Sequence, residues 1–269
     1  MKMNWKQITF LSAAVAVGLS VFAATADAAD WGQYQVDDRR SGFTYMTDES
    51  RAMQVDNFQN PGMLWAEQGA ELWSKVDGKA GKSCASCHGD SGETMKGVAA
   101  SYPKFDQELG KVQTVEQQIN YCLENRMEAK PYKWESGEML SMTVFVNNQS
   151  LGMPVNVKTD GPAAAAYEKG KAFFNERRGQ LDLACKHCHE DYAGGIIRAN
   201  TLTQGQINGF PTYRLKWQKV GSVHRRFRGC NSMVRAKPFA YGSDEYVNLE
   251  LYVKARGMGL PVETPAVRN

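Results

Sequence analysis

The sequence predicts an all-α protein in which one helical unit occurs twice. Three observations lead there. The pattern C-x-x-C-H appears as "CASCH" (84–88) and again as "CKHCH" (185–189). The segments around the two copies align at near-constant offsets. Each copy closes on an amphipathic stretch, "EMLSMTVFVNNQS" (138–150) and "DEYVNLELYVKAR" (244–256), followed by Gly-x-Pro, while strand-like alternation is weak throughout.

The elements follow in chain order. Residues 1–28 begin with Lys2 and Lys6, continue as an apolar run from Phe10 to Ala24 and end in small residues, "ATADA". That is the build of a secretory leader with cleavage near Ala28 or Ala29, and it predicts a periplasmic location for the mature chain. The apolar run is short for a membrane span. Residues 29–64 have no counterpart later in the chain. They are expected to form an extension that packs over the first unit or faces a partner. Formal charge +3 and a pI near 8.4 do not point to nucleic acid.

The repeat is explicit. At an offset of 101, Gly69 falls on Gly170, Leu72 and Trp73 on Phe173 and Phe174, and Asp90 on Asp191. At 108, Tyr102-Pro103 falls on Phe210-Pro211 and Cys122 on Cys230. At 107, Glu138 falls on Glu245 and "GMPV" (152–155) on "GLPV" (259–262). The expected domains are therefore 65–156 and 157–269, with "VNVKTDGPAAAA" (155–166) reading as the linker.

Six cysteines in an exported protein would ordinarily suggest three disulfides. C-x-x-C-H argues otherwise: two thiols two residues apart suit the two vinyl groups of one porphyrin, and the next residue, a histidine, suits the iron. Cys84 and Cys87 would attach one haem c with His88 as axial ligand, and Cys185 and Cys188 a second with His189. A zinc site would need further Cys/His pairs at zinc spacing, which the chain lacks. Three or more helices around a porphyrin is the architecture of small c-type cytochromes.

For the sixth iron ligand, the copies themselves discriminate. Met153 corresponds to Leu260, whereas Cys122 and Cys230 correspond to each other. Both are expected as distal ligands, a choice that lowers the reduction potential because a thiolate favours ferric iron. A Cys122–Cys230 disulfide and His224 as an alternative ligand are the competing readings; His187, inside its own attachment loop, is expected to be exposed. Around the cysteines the copies diverge: "QINYC" (118–122) becomes "RFRGC" (226–230). Arg226, with Arg225 and Arg228 as candidate supporting residues, would lower the thiol pKa of Cys230 and attract an anion, and Gly229 would leave room. The bland alternative makes these arginines a solvated face or partners of haem propionates.

With these motifs the chain resembles the dihaem A subunit of the SoxAX cytochromes of bacterial sulfur oxidation, over nearly the whole mature length. The resemblance implies a heterodimer with a monohaem subunit and oxidative joining of thiosulfate to a cysteine of a carrier protein of the SoxYZ kind. It implies Cys230 as the catalytic ligand, in persulfide form, and Arg226 as the substrate-binding arginine. Alternatives from the residues alone are a thiosulfate dehydrogenase forming tetrathionate, a dihaem electron carrier without catalysis, and a dihaem peroxidase, which two cysteine ligands oppose.

Overall fold

Helices form where a polar cap precedes an apolar face. In the computed structural model, which describes residues 31–198 and 200–269, the first half contributes α1 (Asp48–Val55), α2 (Met63–Ser74), α3 (Cys84–His88), the short turns α4 (Ser91–Thr94) and α5 (Val98–Ser101), α6 (Val115–Arg126) and α7 (Gly137–Asn148). The second half contributes α8 (Ala164–Asn175), α9 (Val223–Met233) and α10 (Asp244–Arg256). The cysteine-bearing helices start on matching caps. Thr114 accepts from the Gln117 backbone, which Gln117 returns through its own side chain, and Ser222 accepts from Arg225. Each such cap contributes about 1 kcal/mol. The expected leader lies outside the described residues. Among the described residues no helix is long and apolar enough to cross a membrane.

α2 packs on α7, and α8 on α10. Both pairs close through a glycine. A Cβ on Gly69 would lie 2.3 Å from the Ser141 carbonyl oxygen, and one on Gly170 would lie 2.0 Å from that of Asn248. The glycines let the backbones meet, and Trp73 and Phe174 then turn inward, each to its own core.

Short strands, which the sequence did not advertise, tie the halves together. β1 (Gln35–Val36) pairs with β2 (Arg39–Arg40), and β5 (Ile196–Ile197) with β6 (Asn200–Thr201). β3 (Lys104–Asp106) and β4 (Lys111–Gln113) form one antiparallel hairpin. β7 (Thr212–Arg214) and β8 (Lys219–Gly221) form another, extended by β9 (Ala266–Arg268) parallel to β7. Each of the latter two hairpins crosses to the other half. Val112 of β4 packs with Val247 and Leu251 of α10, and Val220 of β8 with Leu140 and Val144 of α7. The Gly-x-Pro segments are reciprocal as well: Gly152 N–H donates to the Val262 carbonyl and Gly259 N–H to the Val155 carbonyl, both at 2.9 Å. Trp31–Asn269 accordingly form one compact unit.

Two expectations change. The stretch read as a linker is packed structure: Val155 and Val157 are buried, and the alanine run opens α8 behind Pro162. Alanine's helix propensity outweighs the loop signal of Gly and Pro. The N-terminal extension does not lie only over the first half but clasps the C-terminal segment. Ser41 and Gln54 donate to the Glu263 carboxylate, Asn60 donates to the Pro265 carbonyl at 2.8 Å, and Arg40 N–H donates to Gln204 at 2.6 Å.

Candidate haem and substrate site

The first attachment motif forms a single helical turn, α3, held by a capping box between Ser83 and Ser86. Cys84 and Tyr102 pack against a core of Trp73, Val115, Met142, Phe145 and Val146. The Trp73 indole N–H donates to the Gly89 carbonyl at 3.1 Å, and its ring lies 5.8 Å from that of His88. The second motif winds wider, into a π-helical turn over His187–Asp191. His187 is half-buried rather than exposed, because its Nδ1 accepts from the Ala184 N–H at 2.8 Å. His189 Nδ1 lies 2.8 Å from the Thr203 carbonyl. A carbonyl can only accept, so the proton sits on Nδ1 and the Nε2 lone pair is free for a metal. Gly205, at φ +77°, leaves this ring its space: a Cβ there would approach the His189 ring to 2.9 Å.

None of the six cysteines is joined to another, which removes the Cys122–Cys230 disulfide. Each distal cysteine instead meets its own attachment motif. Burial, then the neighbouring Cys122 thiol, pushes Cys84 up to about 11; burial, then Cys230, pushes Cys185 up to about 12. The His189 ring lies against Cys230. Two thiols, an imidazole and a facing thiol thus converge in the second pocket on an aromatic lining that includes Phe173, Phe227 and Tyr246. The Arg178 Nε, stacked between Phe173 and Phe239, is buried with no hydrogen-bond partner. A covalently attached porphyrin with anionic carboxylates fits this donor set and this unpartnered guanidinium N–H.

The environments of the two distal cysteines differ in charge. One turn before Cys122, Gln118 donates an amide N–H to its sulfur at 3.6 Å, and burial raises that thiol. One turn before Cys230 stands Arg226. Burial alone would raise the half-buried Cys230, but Arg226, the adjoining His189 and the charge of Arg214 outweigh it and hold the thiol at about 7. Arg214, on β7, is 9 % exposed and fixed from behind by donating to the Asn269 carbonyl at 2.8 Å. Arg198, Lys216 and Arg226 crowd the same space, enough to depress the Lys216 ammonium together with burial.

The other arginines go elsewhere. Arg225 lies over Trp217 and pairs with Glu135 at 3.4 Å; Arg228 lies over Tyr241 and donates to the Phe239 carbonyl. Of the three arginines, only Arg226, four residues back, shares the helix face of Cys230. A Cβ on Gly229 would meet nothing within 4 Å, so that side of the cysteine is open. His224 is fully buried under Trp134 and faces Glu250, turned away from any ligand role at Cys230. Arg214 and Thr203 were not singled out from the sequence. The repeat offset of 108 carried the signal for the first, since it sets Arg214 against Asp106 and Lys216 against Glu108.

Two attachment motifs, each with a facing thiol inside a helical and aromatic pocket, define a c-type cytochrome. Residues 68–155 match the SoxA/TsdA cytochrome c domain family. The L-cysteine S-thiosulfotransferase subunit SoxA of Rhodovulum sulfidophilum is 49% identical over 87% of this chain and 81% of its own length. That of Pseudaminobacter salicylatoxidans is 47% identical over 87% and 82%. The crystal structure of SoxXA from P. pantotrophus superposes with a TM-score of 0.83 at 44% identity, covering 86% of this chain and 87% of that one. The chain belongs to the SoxA family, and it carries covalently bound haem c.

Proposed function

We propose that this chain binds two haem c groups and catalyses the oxidative conjugation of thiosulfate to a cysteine of a sulfur-carrier protein. The observation that carries the reading is the convergence of Arg226 and Arg214 on Cys230, where the first half offers Gln118 to Cys122. His88 with Cys122 would hold the iron of one haem, and His189 with Cys230 that of the other. The halves 65–156 and 157–269 are copies of one unit, the second specialised for catalysis. Arg225 and Arg228 have structural roles.

Thiosulfate is a small dianion, and guanidinium forks suit its sulfonate oxygens. Held there, its terminal sulfur lies against the Cys230 sulfur, as a thiolate or as the persulfide the family resemblance implies. An S–S bond forms with the loss of two electrons, for which bound haem supplies the one-electron acceptor chemistry. The carrier thiolate then attacks the terminal sulfur, expelling the Cys230 thiolate. The sum is carrier thiol plus thiosulfate giving the carrier S-thiosulfonate, one proton and two electrons. A monohaem subunit, the SoxX side of the related heterodimer, takes the electrons, and the site of action is the periplasm.

The test is product analysis with thiosulfate and a carrier bearing one thiol. Conjugation that disappears when the carrier cysteine is alkylated supports the reading. Tetrathionate formed without the carrier selects the dehydrogenase instead. Intact-mass measurement of the holoprotein counts the haems and any extra sulfur on Cys230.

A further inference from the structure

Between the two thiol-bearing pockets lies a set of buried ionisable groups that the proposed chemistry leaves unused. Glu116 of α6 and Lys254 of α10 are 5 % and 6 % exposed. With Glu250 they line a cavity of about 20 Å³, room for about one water. Tyr102 and Phe210 line the same cavity. Each ring also packs into one pocket core, Tyr102 beside Trp73 and Phe210 beside Phe173. One layer of side chains therefore separates these charges from either pocket.

The proton inventory follows from the contacts. His224, from α9, sits 3.0 Å from Glu250 through Nε2, though not aligned for a hydrogen bond. Its Nδ1 accepts from the Gly242 N–H at 3.0 Å, which leaves the imidazole neutral with its proton on Nε2. The remaining charges are Lys254 and two carboxylates. A proton on Glu116 keeps its carboxyl neutral in this nearly dry interior; losing it adds a negative charge there beside Glu250, which is costly. The groups facing Glu116 are Glu250, Lys254, His224 and its own cap Thr114, with Tyr102 and Asn147 completing the lining. Burial and repulsion from Glu250 push Glu116 up to about 7, and burial brings Lys254 down to about 8.

We propose that Glu116, set in this cavity with Glu250 and Lys254, is a proton-binding site coupled to haem reduction. It takes one proton from solvent as an electron arrives in either pocket and returns it when the electron leaves. The electrons are those released by thiosulfate, and the acceptor is the monohaem partner. Uptake and release of the proton keep the charge of the interior constant through the redox cycle, so that the added electron does not face an uncompensated carboxylate. This rests on the two-haem reading; thiosulfate enters only as the electron source, which a chemical reductant replaces in the test.

The experiment is an optical redox titration of the holoprotein across neutral pH, without thiosulfate or carrier, on wild type, Glu116→Gln and Glu250→Gln. The expected result is a midpoint potential that falls as pH rises in wild type and loses that dependence in Glu116→Gln. Potentials independent of pH in wild type, or a slope that survives in both variants, overturn the proposal. A reduced-minus-oxidised infrared difference spectrum of wild type serves independently of any variant's folding. A protonated-carboxyl band that shifts in D₂O is expected, and its absence overturns the assignment. Failure of conjugation in the assay above, with these titrations intact, rejects the catalytic reading alone.

Discussion

Replacing Arg226 with glutamine gives Cys230 the neighbour that Cys122 already has in Gln118. The guanidinium lies one helical turn before the sulfur and is the first of the influences that offset burial of the thiol. Arg214 remains, so the site keeps one cation. A charge-assisted hydrogen bond to a buried anion is worth about 1.5–3 kcal/mol. Arg226→Gln is therefore expected to lower kcat/KM for thiosulfate by roughly 10- to 150-fold. The assay is single-turnover conjugation at varied thiosulfate with the carrier saturating, beside Arg225→Ala, whose side chain faces Glu135 and Trp217. Arg225→Ala is expected to stay within about twofold. If Arg226→Gln also stays within twofold, or Arg225→Ala loses as much, the guanidinium at 226 does not hold the substrate.

Three further outcomes follow from packing and charge. Gly170→Ala drives a methyl into the Asn248 carbonyl and should destabilise the chain by about 1–3 kcal/mol, read as a lower Tm; an unchanged Tm refutes the close α8–α10 contact. Gly205→Ala combines a left-handed backbone with a collision at His189, so the absorption of the second haem should change while the first keeps its spectrum. Two unchanged spectra would count against His189 as the ligand placed by that loop. Glu116 titrates in the fold at about 7, above its ordinary 4.5, so its protonated form is the stabilised one. Its contribution is full below 4.5 and is lost as pH rises through about 7. Glu116→Gln should therefore gain in Tm relative to wild type between about pH 5 and pH 8, and a gap that stays constant would contradict the burial of an ionising carboxyl there.

Much of this was legible in the chain because segments of its two halves correspond at near-constant offsets and can be compared. The attachment motifs, the paired cysteines at 122 and 230, and the matched glycines 69 and 170 are all positions where the two copies agree, and each has a place in the structure. The gain of cations around the second cysteine was visible at 226 and, unread, at 214 and 216. Helical geometry would also have separated Arg226 from Arg225 and Arg228, since neighbours in sequence point about 100° apart. What periodicity could not show is long-range. Residues far apart in sequence meet when β4 crosses to α10, β8 crosses to α7 and the extension grips Glu263. Three-residue strands carry too little alternation to register. The neutral, buried state of His224 likewise depends on Gly242 and Glu250 arriving from other elements.

The central claim is that one of two related thiols has become the catalyst. Mass analysis of a single-thiol carrier after one turnover with thiosulfate tests it, using wild type, Cys122→Ala and Cys230→Ala. The account predicts a thiosulfonate adduct on the carrier with wild type and, for the most part, with Cys122→Ala, and none with Cys230→Ala. An adduct formed as well by Cys230→Ala, or lost equally in both variants, would contradict it.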